Sequence, residues 1–249
     1  MDLQEFFRIH PKTAVAFSGG VDSAYLLYAA ARWGRETIAY YVNSPFQPAF
    51  ELGDARALAK ALSVPLRVLP VDILACPQVA ENPKDRCYHC KKEIFQIIAA
   101  RAAGDGFPVV LDGSNASDDP ADRPGMAALE ELGILSPLRL CGLTKGEIRR
   151  LSREAGLFTW DKPAYACLAT RIPAGEPITQ EKLAKVERAE DYLRELGFSD
   201  LRVRSLGEGA KLQLPAAQMG KLLEHRKKIV EELKKDYAFI MLDLEARDA

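Results

Sequence analysis

The chain has 249 residues, with 34 Lys plus Arg against 35 Asp plus Glu, and five cysteines. A chain of this length buries roughly three quarters of its unfolded surface, so we expect one sizeable core or a large and a small domain. The balanced charge excludes a whole-chain field that attracts nucleic acid or anionic lipid, so any anion site must be local. The N-terminal segment has no signal-peptide pattern, and no apolar run has membrane length, which predicts a cytoplasmic protein without a membrane partner.

Apolar runs alternate with helical periodicity in the first part of the chain. Strands are predicted at residues 13–17, 36–42, 65–71 and 108–113, and helices at residues 22–33, 49–61 and 88–103. Continuous β-branched runs separated by amphipathic helices are typical of a parallel sheet that is covered on both faces. The sequence therefore predicts an α/β fold with a doubly wound parallel sheet.

The pattern changes after a short predicted helix that ends near Gly156. Residues 160–179 are irregular and rich in Pro and Gly, which is typical of a domain boundary. Beyond them we predict helices at 180–196 and 216–235, and strands at 200–206, 210–215 and 237–244. The predicted organisation is a first domain of residues 1–160 and a small C-terminal α+β domain of residues 161–249.

The segment S-G-G-V-D-S, residues 18–23, follows the first predicted strand and opens the next helix. Ligands of parallel α/β sheets bind beyond the carboxyl ends of the strands. Gly19 and Gly20 let the backbone approach a bulky anion, while Ser18, Ser23 and the first N–H groups of the helix supply donors. Walker A and Rossmann patterns are excluded, because the lysine of one and the glycine spacing of the other are missing. The segment predicts a phosphate site, with a capped tight turn as the alternative.

This loop resembles the PP-loop of the ATP pyrophosphatase superfamily. The resemblance implies an adenine nucleotide alpha hydrolase-like fold and an enzyme that cleaves ATP between the α and β phosphates to adenylate an oxygen of its substrate. It implies that the following loop residues bind ATP: Ser18, Gly19, Gly20, Val21, Asp22 and Ser23. It also implies that Asp22 is the catalytic acid associated with Mg²⁺. Analogy with such folds adds nucleotide contacts after the second strand, at Asn43 and Ser44. It also adds contacts after the fourth strand, for which turn chemistry is the alternative explanation: Asp112, Ser114, Asn115 and Asp118.

Three cysteines favour sulfur or metal chemistry. Cys87 and Cys90 are three apart at the start of a predicted helix, where both thiols can face one point and the helix N-terminus favours thiolate. A lone C-x-x-C cannot complete a tetrahedral site, and Cys167, in an irregular segment, is the natural third ligand. Three cysteines leave one iron of a [4Fe-4S] cluster open. Zinc held by the three thiols and His89, or a pair without a ligand, are the alternatives.

The remaining two cysteines, Cys76 and Cys141, sit among apolar residues, as small buried hydrophobic side chains usually do.

Four segments in order resemble the LarE family of ATP-dependent sulfur transferases: SGGVDSAYL, RCYHCKKEIF, KPAYACLATRIP and LRVRSLGEGAKLQL. The resemblance spans nearly the whole chain. It implies adenylation of a carboxylate of pyridinium-3,5-dicarboxylate mononucleotide and its conversion to a thiocarboxylate, in biosynthesis of the nickel-pincer cofactor of lactate racemase. It implies that Cys167 delivers the sulfur, either its own, leaving dehydroalanine, or through a [4Fe-4S] cluster shared with Cys87 and Cys90. The presence of all three cysteines favours the cluster.

The family resemblance also assigns substrate residues. Arg202 and Arg204 are two apart on a predicted strand and share a face. They match an R-V-R pair that binds substrate phosphate in the family, Arg171 closely follows the sulfur cysteine, and Glu190 matches an acid implicated in metal binding. A solvated strand face and a surface glutamate are the alternatives. The chain departs from the usual family pattern at Thr170, Ser205 and Leu206.

Three competing functions remain. A cluster-dependent tRNA thiolase shares the loop and the three cysteines, but this chain lacks extra zinc-binding cysteine pairs and a basic RNA-binding domain, so no nucleic acid is expected. An ammonia-dependent AMP-forming synthetase gives the three cysteines no role. A nonenzymatic nucleotide-binding module predicts binding without turnover. The family resemblance further implies a homo-oligomer.

Overall fold

A computed structural model of the chain describes residues 1–119 and 124–247. These residues form two compact units. The first unit comprises Met1–Ser44, Ala49–Ile73 and Asp85–Lys162, and the second comprises Pro45–Pro48, Leu74–Lys84 and the chain from Pro163 onward. Two short segments from the first 160 residues therefore belong to the second unit.

The helices and strands alternate through most of the described chain. The helices are α1 (Leu3–Ile9), α2 (Val21–Trp33), α3 (Ala49–Ala61), α4 (Pro77–Ala80), α5 (Arg86–Gly104), α6 (Gly125–Glu131), α7 (Pro137–Leu140), α8 (Lys145–Glu154), α9 (Gln180–Glu195), α10 (Ala216–Glu224) and α11 (Arg226–Leu233). The strands are β1 (Lys12–Ala16), β2 (Glu36–Asn43), β3 (Leu66–Pro70), β4 (Val109–Leu111), β5 (Arg202–Leu206), β6 (Gly209–Gln213) and β7 (Phe239–Leu242). Short 3-10 turns span Ile73–Ala75 and Leu168–Arg171.

The first unit is built on a parallel sheet with strand order β3-β2-β1-β4. Successive side chains of a strand point to opposite faces, so neighbouring residues of β1 and β2 enter two different cores. Val15 and Tyr41 lie in one core with α2, and Ala14 and Tyr40 lie in the other with Phe95 of α5. Both faces of the sheet are therefore covered, as the continuous apolar runs predict.

The loop that follows β1 leads directly into α2. This helix has buried residues on most of its circumference: Val21, Ser23, Ala24, Tyr25, Leu26, Leu27, Ala29 and Ala30. A helix that is buried nearly all round is fixed by packing along its whole length. The first turn of α2 is therefore a rigid support for any ligand held at its N-terminus.

The second unit is a small α+β fold. Strand β6 pairs antiparallel with β5 and parallel with β7. Its core contains Val203 and Leu212 from the sheet, with Leu193 and Ile229 from α9 and α11. The single helix predicted at residues 216–235 is instead two helices, because His225 leaves the α region with φ −89° and ψ 3° and caps both of them. Within the described chain, no helix combines the length and apolar character that a membrane span requires.

Candidate active site

The loop between β1 and α2 is held in shape by its own two serines. The Oγ atoms of Ser18 and Ser23 lie 3.0 Å apart, and the Ser18 N–H donates to Ser23 Oγ at 3.3 Å. Ser23 Oγ donates to the Gly20 carbonyl at 3.1 Å, and the Gly20 N–H donates to Ser18 Oγ at 3.4 Å. These bonds curl the chain onto the start of α2, where the first N–H groups of a helix have no intrahelical acceptor. The loop has the donor set of an anion site.

Two glycines permit this shape. Gly19 has a φ of 77°, in the left-handed region, and a Cβ there would lie 3.4 Å from the Glu51 carbonyl oxygen. A Cβ on Gly113, in the loop after β4, would lie 3.0 Å from the Ser23 nitrogen. The loop after β4 therefore packs against the first turn of α2 so closely that a side chain at Gly113 would require a small shift.

Asp22 lies in the first turn of α2 with its two carboxylate oxygens in different environments. Its Oδ2 accepts a hydrogen bond from Lys145 Nζ at 2.6 Å. Its Oδ1 is buried and has no hydrogen-bond partner among the described residues. A buried, unsatisfied carboxylate oxygen is costly and calls for a ligand, and carboxylate oxygen is the ligand type that Mg²⁺ prefers. The predicted Mg²⁺ role of Asp22 fits this orphaned atom.

Two lysines that the sequence reasoning did not assign reach the same loop. Lys145 is the first residue of α8, and its ammonium contacts Asp22. Lys162 Nζ donates to Asp54 Oδ2 at 2.8 Å and to the Gly19 carbonyl at 3.3 Å. Both lie more than a hundred residues from the loop in sequence, so no local pattern joins them to it. A capping-box signal, T-K-G-E at residues 144–147, marks the helix start that positions Lys145.

Asp112 and Ser114 bond to each other at the end of β4. Asp112 is 5 % exposed, and its Oδ2 accepts from Ser114 Oγ at 2.6 Å and from the Ser114 N–H at 3.2 Å. Its Oδ1 accepts from Ser136 Oγ. The two residues organise the loop that presses on α2, and their contact with nucleotide stays a prediction.

The other predicted nucleotide contacts lie in the same unit. Asn43 is exposed at the end of β2, and its carbonyl accepts from the Val71 N–H at 3.0 Å, whereas Ser44 is buried. The Asn115 N–H donates to Asp118 Oδ2 at 3.0 Å. Strands β1, β2 and β4 are neighbours in a parallel sheet, so their following loops share one edge. Contact of Asn43 and Ser44 with nucleotide also stays a prediction.

Cys87 and Cys90 are the second and fifth residues of α5, the former exposed and the latter buried. They belong to the first unit, whereas Cys167 belongs to the second. Throughout residues 1–119 and 124–247, no three His, Cys, Asp or Glu side chains form a group that could hold a metal. The [4Fe-4S] cluster stays a prediction.

Cys167 immediately precedes the 3-10 turn Leu168–Arg171 and is half-buried. Its carbonyl accepts from Thr170 Oγ1 at 2.8 Å, from the Thr170 N–H at 3.0 Å and from Arg171 Nη1 at 3.3 Å. The backbone of the predicted sulfur-delivering residue is thus fixed by the residues that follow it. Burial raises the pKa of the Cys141 thiol, which suits the structural role expected for that residue.

A buried ion pair lies beside this turn. Arg171 Nε donates to Glu190 Oε1 at 2.8 Å, and the two side chains are 1 % and 0 % exposed. Glu190 also accepts from Tyr165 Oη at 2.5 Å, from the Val203 N–H at 3.0 Å and from Arg194 Nη2 at 3.1 Å. Burial alone would raise the pKa of this carboxyl, but the hydrogen bond and charge of Arg171, with the other donors, hold it below its ordinary value.

Glu190 therefore serves as an anchor in this arrangement. Both of its oxygens accept hydrogen bonds from buried donors, and Oε2 also accepts from Arg171 Nη2 at 3.3 Å. Its predicted role in metal binding stays a prediction. Sequence reasoning missed the pairing with Arg171, because the two residues are nineteen apart and only the fold joins them.

Arginines surround the ring of Tyr165. The guanidinium carbons of Arg171, Arg202 and Arg194 lie 4.7, 5.0 and 5.3 Å from the ring centroid, within the range of cation–π attraction. Burial, then the charges of Arg171 and Arg247, lowers the pKa of Arg202 to about 10. The lowered pKa of Arg202 thus reflects first its loss of solvent and second the guanidinium charges beside it.

Arg202 and Arg204 both contact the segment that contains Cys167. Arg202 Nη2 donates to the Ala164 carbonyl, and Arg204 Nη1 donates to the Thr170 carbonyl at 2.8 Å. The two arginines of β5 therefore hold the segment on either side of the cysteine. Binding of substrate by Arg171, Arg202 and Arg204 stays a prediction that this concentration of positive charge favours.

Similarity to other proteins extends over most of the chain. The uncharacterized protein slr1717 of Synechocystis sp. is 38 % identical over 224 residues, which are 90 % of this chain and 84 % of that protein. The pyridinium-3,5-bisthiocarboxylic acid mononucleotide synthase of Lactiplantibacillus plantarum is 34 % identical over 236 residues, 94 % of this chain and 86 % of the synthase. The tRNA-specific 2-thiouridylase MnmA of Thermotoga maritima is 24 % identical over 188 residues, 59 % of this chain and 52 % of that protein. No family model matches the chain.

A doubly covered parallel sheet with an S-G-G-x-D-S loop after its β1 strand defines a PP-loop enzyme of the adenine nucleotide alpha hydrolase-like fold. The similarity to MnmA agrees with this class. The chain belongs to the LarE family of ATP-dependent sulfur transferases within it. The fold class and the family resemblance predicted from the sequence are thereby confirmed.

Proposed function

We propose that the protein uses ATP to adenylate a carboxylate of pyridinium-3,5-dicarboxylate mononucleotide and then converts the acyl adenylate to a thiocarboxylate. The product is the kind of sulfur ligand that a nickel-pincer cofactor requires. The observation that carries the proposal is the serine-bonded loop with the orphaned Asp22 Oδ1, which supports binding of a metal-bound polyphosphate. The similarity to a mononucleotide synthase over 94 % of the chain supports the choice of substrate.

The loop supplies the binding part of the adenylation. N–H groups of the first turn of α2 and the hydroxyls of Ser18 and Ser23 are suited to the β and γ phosphates of ATP. Asp22 would hold Mg²⁺, whose chemistry is to offset phosphate charge. A carboxylate oxygen of the substrate attacks the α phosphorus, the bond from that phosphorus to the bridging oxygen breaks, and the electron pair leaves with pyrophosphate. The product is an acyl adenylate, in which AMP is the leaving group.

The second half of the reaction replaces AMP by sulfur. In one route the Cys167 thiolate attacks the acyl carbon, and the carbon–oxygen bond to AMP breaks with its electron pair. Loss of the Cys167 α proton then breaks the Cβ–S bond, whose electrons leave with the thiocarboxylate, and dehydroalanine remains. In the other route a sulfide from outside the chain attacks the acyl carbon, the carbon–oxygen bond to AMP breaks with its electron pair, and the chain keeps all its sulfur. Cys87, Cys90 and Cys167 would hold the [4Fe-4S] cluster that supplies this sulfide. The protein mass after turnover distinguishes the two routes.

The second unit is suited to hold an anionic substrate. Each guanidinium has five N–H donors in a fixed fork that matches carboxylate and phosphate. Arg202 and Arg204 are oriented through their contacts on either side of Cys167, and the Arg171–Glu190 pair fixes the turn after it. We assign phosphate and carboxylate binding to these arginines and a positioning role to Glu190.

A tRNA thiolase is the second candidate, because the chain resembles MnmA over 59 % of its length. The two functions differ in the acceptor that triggers ATP cleavage. Addition of tRNA accelerates pyrophosphate release if the acceptor is RNA and leaves it unchanged if the acceptor is the pyridinium mononucleotide.

The testing experiment is an anaerobic single turnover, with and without prior iron and sulfide reconstitution. AMP, pyrophosphate and thiocarboxylate are quantified together with the intact protein mass. We expect AMP and pyrophosphate in equal amounts, dependent on a carboxylated mononucleotide and absent with the Asp22→Asn variant. Asp72→Asn, at an exposed aspartate of the same unit, is the matched control and should behave as the native chain. Formation of ADP, or of AMP without the mononucleotide, would contradict the proposal.

A further inference from the structure

We propose that Tyr165 is a positioning residue for substrate binding. Its aromatic ring holds the guanidinium groups of the second unit together and leaves the N–H groups of Arg202 available for an anion. This inference rests on the proposed function, because the anion is the pyridinium dicarboxylate mononucleotide. It gives a role to a side chain that lies two residues before Cys167 and that the sequence reasoning did not single out.

The first observation concerns the hydrogen-bond partners of Arg202. Its side chain is only 7 % exposed, and its contact with the Asp200 carboxylate is long, at 3.7 Å. Within the described chain, its Nη1 donates to the Leu201 carbonyl at 2.8 Å and its Nη2 donates to the Ala164 carbonyl. A guanidinium has five N–H donors, so three of them remain for a ligand. The charge of Arg202 is thus buried without a close carboxylate partner.

The ring of Tyr165 supplies the attraction that a carboxylate would otherwise supply. The guanidinium carbon of Arg202 lies over this ring, 5.0 Å from its centroid. The face of an aromatic ring is negative, so it attracts a cation. A carboxylate partner would occupy the N–H fork and compete with the carboxylates and phosphate of the substrate. A ring contacts the flat face of a guanidinium, whereas the N–H groups lie at its edge and stay available.

Arg171, which contacts the same ring, has the opposite environment. Its Nε and Nη2 donate to the Glu190 carboxylate at 2.8 and 3.3 Å. Its Nη1 donates to the Ala166 carbonyl and to Thr170 Oγ1, both at 2.8 Å. All three nitrogens of Arg171 are therefore engaged in fixing the turn. The ring joins this neutralised arginine to Arg202, whose donors are not exhausted.

The ring itself is fixed through its hydroxyl. Tyr165 Oη donates to Glu190 Oε2 at 2.5 Å and accepts from Arg194 Nη2 at 3.1 Å. Burial, then the charge of Glu190, raises the pKa of Tyr165, so the hydroxyl stays protonated and remains a donor. Because the ring is held in place and Cys167 follows two residues later, the arginines that contact the ring have a defined position relative to the backbone of Cys167.

The test changes the charge on the ring face and keeps the shape of the ring. Tyr165 is replaced by phenylalanine and, in a second variant, by trifluorophenylalanine, whose fluorine atoms withdraw electron density from the face. Calorimetry measures affinity for the pyridinium dicarboxylate mononucleotide and, as an internal reference, for ATP with Mg²⁺. Tyr165→Phe keeps the ring, so its mononucleotide affinity should stay within about threefold of native. The fluorinated ring should weaken this affinity by about a further tenfold and leave ATP affinity within about twofold.

The same two replacements at Tyr237 are the matched control, because Tyr237 is a 4 % exposed tyrosine in the apolar core of the same unit. They should leave both affinities unchanged. If Tyr165→Phe does not fold, difluorotyrosine at position 165 keeps the hydroxyl and is compared directly with the native chain. Equal mononucleotide affinity with and without fluorine, or equal loss of mononucleotide and ATP affinity, would overturn the role of Tyr165 alone. Failure of the native chain to bind the mononucleotide would overturn the proposed function and this role with it.

Discussion

Replacing Glu190 by glutamine is expected to destabilise the second unit severely. Glutamine keeps the size of the side chain but converts one acceptor oxygen into an NH₂ group. In the native chain both carboxylate oxygens accept from donors, among them Arg171, Tyr165 and the Val203 N–H. Whichever way the amide is turned, a donor faces donors, and the 1 % exposed Arg171 loses its counter-charge.

The size of the effect follows from burial. Removing one partner of a buried ion pair lowers the free energy of unfolding by about 3–5 kcal/mol, because the remaining charge is desolvated and unpaired. For a unit of roughly a hundred residues each kcal/mol lowers the melting temperature by about 4–8 °C, so a fall of about 10 °C or more is expected. Asp191→Asn is the matched control, because Asp191 is the next residue of α9 and pairs with Arg194 but is 50 % exposed. A surface pair of that kind is worth about 0–1 kcal/mol.

Thermal unfolding by circular dichroism measures the difference, and hydrogen exchange locates it in residues 163–214. The gap between the native chain and Glu190→Gln should also depend on pH. Because the folded pKa of Glu190 lies below its ordinary value of about 4.3, its contribution is complete above that pH and is lost as pH falls through the folded pKa. If Glu190→Gln and Asp191→Asn have the same melting temperature at neutral pH, the reasoning about this buried pair is wrong.

Three further predictions concern the loop, the sulfur residue and a buried clamp. Gly19→Ala should weaken ATP binding at least about tenfold, because a residue with a Cβ pays about 1–2 kcal/mol to adopt the positive φ of this position. Gly53→Ala, at an open helix position, should leave ATP binding unchanged, and calorimetry measures both affinities. Cys167→Ser should abolish thiocarboxylate formation while retaining ATP binding, and Cys141→Ser should retain both; product formed by Cys167→Ser would exclude a role for that thiol. Asn82 donates its side-chain amide to the carbonyls of residues 172, 173 and 176, so Asn82→Ala should speed hydrogen exchange in that loop by about 10–100-fold, and unchanged exchange would contradict the clamp.

The sequence allowed prediction of the elements whose signal is local and long. Strand β2 and helix α3 were located to within a residue, because apolar runs and helical periodicity extend over their full length. The short helices were missed: α1 has only seven residues, and α7 has four residues started by Pro137. The break at His225 was also missed, because the apolar spacing continues through it and only the backbone angles reveal the two helices.

For the candidate site, the sequence predicts the residues of a contiguous motif and does not indicate those that the fold places beside it. The loop of residues 18–23 was identified from its glycines and its place after a strand. Lys145 and Lys162 were not, because lysines at helix starts and loop ends carry no signal of their target. The pairing of Arg171 with Glu190 was missed for the same reason. It supports the proposed positioning role of Glu190, and the metal-binding role of Glu190 stays a prediction.

The central claim is that a substrate carboxylate is adenylated before sulfur is added. A single turnover with pyridinium-3,5-dicarboxylate mononucleotide labelled with oxygen-18 in its carboxylates tests it most directly. The attacking carboxylate oxygen stays on phosphorus when sulfur displaces AMP, so we predict one labelled oxygen in each AMP formed and none in pyrophosphate. Unlabelled AMP formed together with thiocarboxylate would contradict the claim.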